Sequence, residues 1–255
     1  LGVFAHPDDE SLACGGTLAR AADLGARVIL RCASRGEAGT TCDPALVADG
    51  DLAGVRSNEL REAAAVLGVA EVLMMDHPDG DLRWIDVPEL HAEIVAALER
   101  FKPDAVITFA EDGLYWHLDH IGVHERTYTA VGSLGPDAPP LYYVTIPHGV
   151  MRQMFDAARS KRGAPPEPSF WGITPDAFGA LAQPATFVVD ARPWIHRKLA
   201  ALRCHRTQMG SQNPLAWIDE DDARRWLGIE HFRRAPLEGR GDFLLEQLGE
   251  PVASS

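Results

Sequence analysis

The sequence predicts an α/β fold in which a mostly parallel sheet is covered by helices on both faces. Short apolar runs alternate with helix-period segments, the runs are nearly continuous in apolar residues, and two helical segments end at glycine. Strands and helices that alternate at this spacing are typical of right-handed βαβ units. Continuous apolar strands are typical of a sheet that is buried on both faces. The expected architecture is therefore a Rossmann-like three-layer sandwich.

Six short apolar runs are predicted to be the strands. Their ranges are 1–5, 27–34, 71–76, 104–110, 141–146 and 185–191. Ligands in folds of this kind bind beyond the carboxyl ends of the strands, so four loops are expected to surround one crevice. These loops are residues 6–10, the segment after Ser34, the Asp79 region and the segment after Ala110.

Four segments between and after these runs are predicted to be helices. The first opens near Asp9 and stops at Gly25, and the second covers 52–67 and stops at Gly68. Both glycines can adopt the left-handed backbone that follows a helix end. The third begins at Asp86 with a capping-box pattern and runs to about residue 101, and the fourth covers about 192–207.

The 255 residues fit one large α/β domain or two small ones. After residue 150 the chain becomes irregular and rich in proline before the last predicted strand and helix. We therefore predict one domain over 1–255, with a Rossmann-like core in 1–150. Residues 151–255 are expected to be an elaboration that covers or flanks the crevice.

The charge balance restricts the partners of the protein. Lys and Arg number 24 and Asp and Glu number 37, which gives a net charge of −13, and no basic run is longer than two residues. Nucleic acid and anionic membrane surfaces are therefore not expected partners. Four cysteines without a C-x-x-C pair predict reduced thiols and not a zinc ribbon or a disulfide framework.

No apolar stretch approaches the roughly 20 residues that span a bilayer, and no basic, apolar and small-residue leader is present. The chain begins at Leu1 inside an apolar run and without methionine, so we expect a few residues to precede it. Because neither a membrane-spanning stretch nor a leader is found, we expect a cytoplasmic protein.

The first predicted strand runs directly into "AHPDDE", which contains His6, Asp8, Asp9 and Glu10. Adjacent buried carboxylates repel one another, so they need a cation or a raised pKa. The acids could simply cap the following helix, but His6 at the strand end favours a divalent metal. His6 and Asp9 are then the candidate ligands, and Asp8 could hold a metal-bound water.

A second polar cluster follows the fourth predicted strand in "EDGLYWHLDHIGVHE". His117 and His120 could share one helix face, and Asp119 could accept a hydrogen bond from an imidazole and fix its tautomer. His124 is more consistent with the core or with solvent. Two imidazoles and a carboxylate without thiolate suit Zn²⁺, and an open fourth position is typical of a catalytic zinc site.

Together, "AHPDDE" and "HLDH" resemble the LmbE-like, PIG-L superfamily of zinc-dependent de-N-acetylases. Four further segments add to the resemblance: "SRGEAG" (34–39), "RSNELREAAAVLGV" (56–69), "PDGDL" (78–82) and "KLAALRCHRTQ" (198–208). The resemblance implies an amidohydrolase that removes an N-acyl group, above all N-acetyl, from an amino sugar or a related soluble small molecule. It also implies one Zn²⁺ per chain, with Fe²⁺ or another divalent metal as the alternative, and it allows a homo-oligomer.

Carried over residue by residue, the resemblance implies that His6, Asp9 and His120 bind the metal. Asp8 matches the general base that takes a proton from the attacking water.

The resemblance also implies roles for the neighbours of these residues. His117 matches the residue that polarises the carbonyl oxygen or protonates the leaving amine, and Asp119 matches the carboxylate that orients His117. Tyr115 matches a stabiliser of the oxyanion. Arg56 and Asp79 match residues that contact the substrate.

Two residues depart from the family's G-H-P-D-H motif, because Trp116 and Leu118 stand in place of glycine and proline. Trp116 is predicted either to pack under the loop or to face the crevice as a bulky substrate-binding wall. His205 and Gln208 are predicted either to border the site or to lie on a solvated helix face.

Two other functions fit the same residues. The same metal and base could hydrate a small unsaturated carboxylate, as a lyase or hydratase does. A catalytically silent metal-binding protein is the third hypothesis, but it would need neither a base at Asp8 nor an electrophile at His117.

Overall fold

A computed structural model describes residues 1–47, 49–161, 163–164, 170–239 and 244–252. The strands are β1 Gly2–Phe4, β2 Ile29–Cys32, β3 Glu71–Met74, β4 Val106–Phe109, β5 Leu141–Thr145, β6 Phe187–Asp190, β7 Ile229–Arg234 and β8 Glu250–Pro251. The helices are α1 Asp9–Asp23, α2 Leu52–Leu67, α3 Val87–Phe101, α4 Gly113–Trp116, α5 Leu118–Gly132, α6 Val150–Ser160, α7 Ile195–Cys204, α8 Glu220–Trp226 and α9 Leu244–Gln247. In the described part of the chain, no helix combines the length and apolar character needed to cross a membrane.

The strands form one sheet in the order β3-β2-β1-β4-β5-β7-β6-β8. The first five strands of this order are parallel, and β7, β6 and β8 extend the sheet with antiparallel pairs. The prediction of an α/β fold with a mostly parallel sheet is confirmed. The apolar pattern did not indicate β7, which lies between β5 and β6 and whose sequence "IEHFRR" contains only two apolar residues. Such a strand lacks the apolar continuity on which the six predicted strands were based.

The helix ends follow the sequence in two cases and depart from it in one. Gly25 and Gly68 have φ of 88° and 78°, so both adopt the predicted left-handed conformation. The predicted capping box of α3 is wrong, because the side chain of Asp86 accepts no hydrogen bond from the first turn. The backbone N–H of Glu89, which the cap would use, instead donates to the carbonyl oxygen of Asp86 at 3.0 Å.

The buried carboxylate of Glu230 connects α1 to the antiparallel part of the sheet. At Cys14 the backbone of α1 leaves the helical region, with φ of −147°. Just beyond this kink, the N–H groups of Gly16 and Thr17 donate to the two carboxylate oxygens of Glu230 at 2.9 and 2.6 Å. Lys198 Nζ lies 2.6 Å from Glu230 Oε1, and both side chains are almost fully buried. Glu230 therefore holds α1, which carries Asp9 at its N-terminus, against α7 and β7.

Replacing Glu230 with alanine is expected to lower the free energy of unfolding by about 3–5 kcal/mol, because the Lys198 ammonium would stay buried without its partner. Denaturant-induced unfolding measures this change. The matched control is Glu220→Ala, which removes an exposed pair with Arg224 on α8, and for it we expect a loss of about 0.5 kcal/mol or less. Equal losses in the two variants would contradict the structural role of Glu230.

Candidate active site

A cavity of about 340 Å³ lies at the carboxyl ends of the parallel strands. As predicted, all four loops that follow these strands contribute residues to its lining: His6, Asp8 and Asp9 from the first, Ala38, Gly39 and Thr40 from the second, Asp79 and Gly80 from the third, and Leu114, Tyr115 and His117 from the fourth. The parallel order of β3, β2, β1 and β4 places these four loops at one edge of the sheet. The two sequence motifs, which are more than 100 residues apart, therefore meet in one site.

The hydrogen bonds of His120 define which of its ring nitrogens is free. Nδ1 lies 3.0 Å from the carbonyl oxygen of Gly113, and because a carbonyl only accepts, Nδ1 must carry the proton. In the neutral ring Nε2 then has a lone pair. This atom lies 3.2 Å from His6 Nδ1 and 3.1 Å from Asp9 Oδ1.

His6 is arranged in the complementary way. Its Nε2 lies 3.0 Å from both Asp119 Oδ2 and Asp79 Oδ1, so this nitrogen donates its proton to the carboxylates. When the His6 ring is neutral, Nδ1 has a lone pair that faces His120. Nδ1 also lies 3.6 Å from Asp9 Oδ2.

Two imidazole lone pairs and one carboxylate therefore converge, with 3.1–3.6 Å between neighbouring ligand atoms. Four ligands at about 2.0–2.1 Å from a tetrahedral Zn²⁺ lie about 3.3–3.4 Å from one another. The donor set of His6, Asp9 and His120 thus fits a divalent metal. Without a cation, lone pairs at this separation would repel each other.

The ionisation of His6 leads to the same conclusion. Burial opposes its protonation, but the carboxylates of Asp119, Asp79 and Asp9 raise its pKa well above the usual value. Burial likewise disfavours the charged form of Asp9, yet the neighbouring His120 and His6 hold the pKa of that carboxyl well below its usual range. The site therefore stabilises a positive charge between the two rings, whether a proton or a metal supplies it.

His117 also lies within reach of this centre. One ring nitrogen each of His6, His117 and His120 lie within 4.8 Å of one another. However, His117 Nδ1 accepts a hydrogen bond from the backbone N–H of Asp119 at 3.2 Å, so the proton of the neutral ring is on Nε2. Burial and the nearby His120 lower the pKa of His117 to about 4. His117 is therefore suited to donate a hydrogen bond at neutral pH, and less suited to bind a metal.

The predicted role of Asp119 needs a correction. Its carboxylate does not contact His117 but lies 3.0 Å from His6 Nε2 and accepts from the N–H groups of Gly80 and Leu82 at 2.7 and 3.0 Å. Only the backbone N–H of Asp119 bonds to His117. Asp119 lies in the first turn of α5, against the loop of residues 80–82, so its side chain orients His6 and not His117.

Replacing Asp119 with asparagine is expected to weaken metal binding by about 10–100-fold, because carboxylates that orient a metal-bound histidine typically contribute this much. Competition with a chromogenic chelator measures the affinity. The control is Asp112→Asn, which alters a buried carboxylate that caps α4 from outside the cavity lining. Unchanged affinity in Asp119→Asn would contradict the assignment.

Asp8 is held apart from this ligand set. Its backbone has a φ of 124°, which is rare for a residue with a side chain. Two contacts maintain this conformation: the Asp8 N–H donates to Glu10 Oε2 at 3.1 Å, and Arg56 Nη2 lies 3.2 Å from Asp8 Oδ2. Burial raises the pKa of Asp8 to about 6, although Arg56 opposes the shift. Asp8 thus has the pKa of a base that is mainly ionised at neutral pH.

The two residues expected to contact substrate also have protein partners. Arg56 donates to the carbonyl oxygens of Gly36 and Pro7 at 2.9 and 2.8 Å, so it braces the loop that carries Asp8. Asp79 Oδ2 accepts from the N–H of Ala38 at 2.9 Å, while Oδ1 faces His6. Both residues line the cavity, and both join neighbouring loops around it.

The turn that precedes His117 presents Tyr115 to the cavity and turns Trp116 away from it. Leu114 and Trp116 have φ of 67° and 68°, so α4 is a strained turn and not a regular helix. The ring of Tyr115 lies 5.8 Å from that of His117, and burial raises its pKa well above the usual value, so its hydroxyl keeps the proton. Trp116 is 48% exposed and does not line the cavity. The prediction of a substrate-binding wall at Trp116 is therefore wrong.

An apolar part of the cavity was not predicted from the sequence. Trp171 and Ile173 line it, and so do Leu202 and Met209, next to His205 and Gln208. The last two were predicted either to border the site or to be solvated, and the structure places them at the site. Trp171 and Ile173 come from the irregular Pro-rich stretch, where no periodic pattern indicates which side chains turn inward.

Comparison with protein families identifies one model that matches this chain. The family described as GlcNAc-PI de-N-acetylase (PIG-L) matches residues 1–131. A 1D-myo-inositol 2-acetamido-2-deoxy-alpha-D-glucopyranoside deacetylase from Acidothermus cellulolyticus is 31% identical over 255 aligned residues, which cover 90% of this chain and 86% of the relative.

Two solved structures have a similar fold. The N,N'-diacetylchitobiose deacetylase from Pyrococcus horikoshii superposes with a TM-score of 0.58 at 22% identity, over 92% of this chain and 82% of that one. The 4-carboxy-2-hydroxymuconate hydratase from Pseudomonas putida superposes with a TM-score of 0.63 at 18% identity, over 95% and 98%. At these identities the likeness extends to the fold alone.

Proposed function

Because this chain belongs to the GlcNAc-PI de-N-acetylase family, we propose that it hydrolyses the acetamide of an N-acetylated amino sugar. The observation that carries the proposal is the convergence of His6, Asp9 and His120 on one point beside the separately held carboxylate of Asp8. A simple metal-binding protein would not need such a carboxylate. The substrate is a small molecule, in keeping with a cavity of about 340 Å³.

The proposed metal is Zn²⁺, held by His6, Asp9 and His120. Imidazole nitrogens and a carboxylate oxygen without thiolate suit this ion, although Fe²⁺ accepts a similar ligand set. When bound, the metal supplies Lewis acidity, which lowers the pKa of a water molecule and polarises the amide carbonyl.

The protein side chains then handle the protons and the developing charge. Asp8 takes the proton of the attacking water, because its carboxylate is mainly ionised at neutral pH. His117 Nε2–H and the Tyr115 hydroxyl donate hydrogen bonds to the carbonyl oxygen as it becomes negative, and one such donor is typically worth about 3 kcal/mol in the transition state. Since His117 has a pKa of about 4, it carries no additional proton at neutral pH, so Asp8, which has taken the proton of the water, protonates the leaving amine.

The proposed function is tested by acetate release from a panel of N-acetylated amino sugars, with metal content measured on the same sample. The panel contains N-acetylglucosamine, its α-linked inositol conjugate and N,N'-diacetylchitobiose. We expect acetate and free amine in equal amounts from at least one member, loss of activity with a chelator and recovery with Zn²⁺. A metal-loaded protein that releases no acetate but hydrates an unsaturated carboxylate would overturn the proposal.

Hydration has less support than deacetylation. The hydratase from Pseudomonas putida shares only the fold at 18% identity. The relative at 31% identity is a deacetylase and aligns over most of both chains.

A further inference from the structure

Part of the cavity lining consists of apolar side chains. They come from five separate places in the chain: α1, the turn before His117, the segment after α6, α7 and the loop after α7. We call this set the apolar wall, and its members are Leu12, Leu114, Trp171, Ile173, Leu202 and Met209. The same lining carries Asp8, Asp79 and two of the proposed metal ligands, His6 and Asp9. The cavity therefore combines the polar residues of the proposed chemistry with apolar side chains that the proposed reaction does not use.

Trp171 is the most unusual member of the apolar wall. The backbone N–H of Ile173 donates to the carbonyl oxygen of Phe170 at 2.7 Å, which closes a two-residue turn. Trp171 and Gly172 occupy this turn with φ of 52° and 83°. A bulky aromatic residue is rarely found in the left-handed region, and strain of this kind tends to occur at functional sites.

The surrounding structure holds Trp171 in this strained position. Its indole Nε1–H donates to the carbonyl oxygen of Gln208 at 3.2 Å, and Gln208 also lines the cavity. The preceding residue, Phe170, is fully buried and packs against Phe178 with 5.6 Å between the ring centroids. The ring centroids of Phe178 and Tyr115 are in turn 4.7 Å apart. The indole is thus positioned relative to the catalytic turn.

We propose that the apolar wall binds an apolar substituent of the substrate and that Trp171 is its main specificity-determining residue. This inference rests on the proposed deacylase function and adds to it the chemistry of the substrate. A substrate covered only with hydroxyl groups would leave some of them without hydrogen-bond partners against these six side chains, which is unfavourable. An alkyl or aryl group would instead be removed from water there.

Such a substituent can come from either end of the substrate. It is either an aglycone attached to the amino sugar or an acyl chain longer than acetyl. Both present the same apolar surface to Trp171, so matched substrates must separate them. Three β-glycosides serve as probes: the methyl glycoside of N-acetylglucosamine, its benzyl glycoside, and the methyl glycoside with an N-hexanoyl in place of the N-acetyl group.

We expect wild-type kcat/KM to be at least roughly tenfold higher for either the benzyl or the hexanoyl probe than for the methyl N-acetyl reference. Trp171→Gly should abolish this preference by lowering kcat/KM for the preferred probe to about the value for the reference, and glycine adopts the local backbone without strain. Trp171→Phe should keep most of the preference. The control variant is Trp84→Ala, which removes an aromatic side chain that is 67% exposed and should change neither value.

Two results would overturn the inference while the proposed function stands. One is wild-type activity with no preference among the three probes. The other is an equal loss on all three probes in Trp171→Gly, which would mean that the indole stacks on the sugar ring itself.

If no amide probe is hydrolysed, the proposed function fails and the apolar wall is tested by binding alone. Calorimetry with the three intact probes then supports the inference if the benzyl or the hexanoyl probe binds at least roughly tenfold tighter than the methyl N-acetyl reference and Trp171→Gly removes the difference. Equal affinities for the three probes would overturn the inference as well.

Discussion

Replacing Asp8 with asparagine is expected to lower kcat by about 10²–10⁴-fold, the usual contribution of a general base, and to leave the metal bound. Asparagine has the same shape and can still accept from Arg56, but its amide cannot take a proton from water. The metal is retained because the ligand atoms of His6, Asp9 and His120 are unchanged. Steady-state kinetics and metal analysis of the same sample measure both effects.

The pH profile separates loss of the base from a general disturbance of the site. Burial raises the pKa of Asp8 to about 6, and a bound cation would shift it lower, so wild-type kcat/KM should fall as the pH drops through about 6 or below. The asparagine variant should lack this acid limb. The control is Asp76→Asn, the same change at a carboxylate that is 82% exposed. An Asp8→Asn enzyme with near wild-type rates would contradict the assignment of the base.

Replacing His120 with alanine is expected to weaken metal binding by more than about 100-fold and to abolish measurable activity. Residues that only orient a metal ligand contribute about 10–100-fold to affinity, and a direct ligand contributes more. His120 is fully buried and stacks on Phe109 with 4.0 Å between the ring centroids. Thermal unfolding of the metal-free proteins must therefore be measured beside the affinity, which comes from competition with a chelator.

His117→Ala is the matched comparison, because His117 lies in the same cluster and is also a histidine. We expect His117→Ala to lower kcat strongly and to leave metal affinity within about threefold. The reason is that the Nε2–H group of His117 is proposed to donate a hydrogen bond to the substrate and not to bind the metal. Asp9→Asn should lose affinity as His120→Ala does. If His117→Ala loses the metal and Asp9→Asn keeps it, the ligand set is His6, His117 and His120.

The parts of the fold that follow local patterns could be predicted from the sequence. All six predicted strands occur, and the two glycine helix ends have the expected conformation. β7 was not predicted because most of its residues are polar, whereas a strand inside a sheet is expected to be mostly apolar. That strand is nevertheless important, because Glu230 on it connects α1 to Lys198.

In the candidate site, two compact motifs provide most of the predicted residues. Within "AHPDDE" and "HLDH" the chemistry of the residues predicts a metal and a base, and the family resemblance adds the role of electrophile for His117. That Asp119 contacts His6 and not its neighbour His117 could not be predicted. This contact depends on the packing of the first turn of α5 against the loop of residues 80–82.

The sequence by itself determined the α/β class and the parallel core, and it predicts which residues bind a metal. These follow from apolar periodicity and from side-chain chemistry, both of which are local. The tertiary structure alone decided that Trp116 is exposed and that Trp171 lines the cavity. The direction of an aromatic side chain in an irregular segment depends on backbone angles and distant partners, here a φ of 52° and the carbonyl oxygen of Gln208.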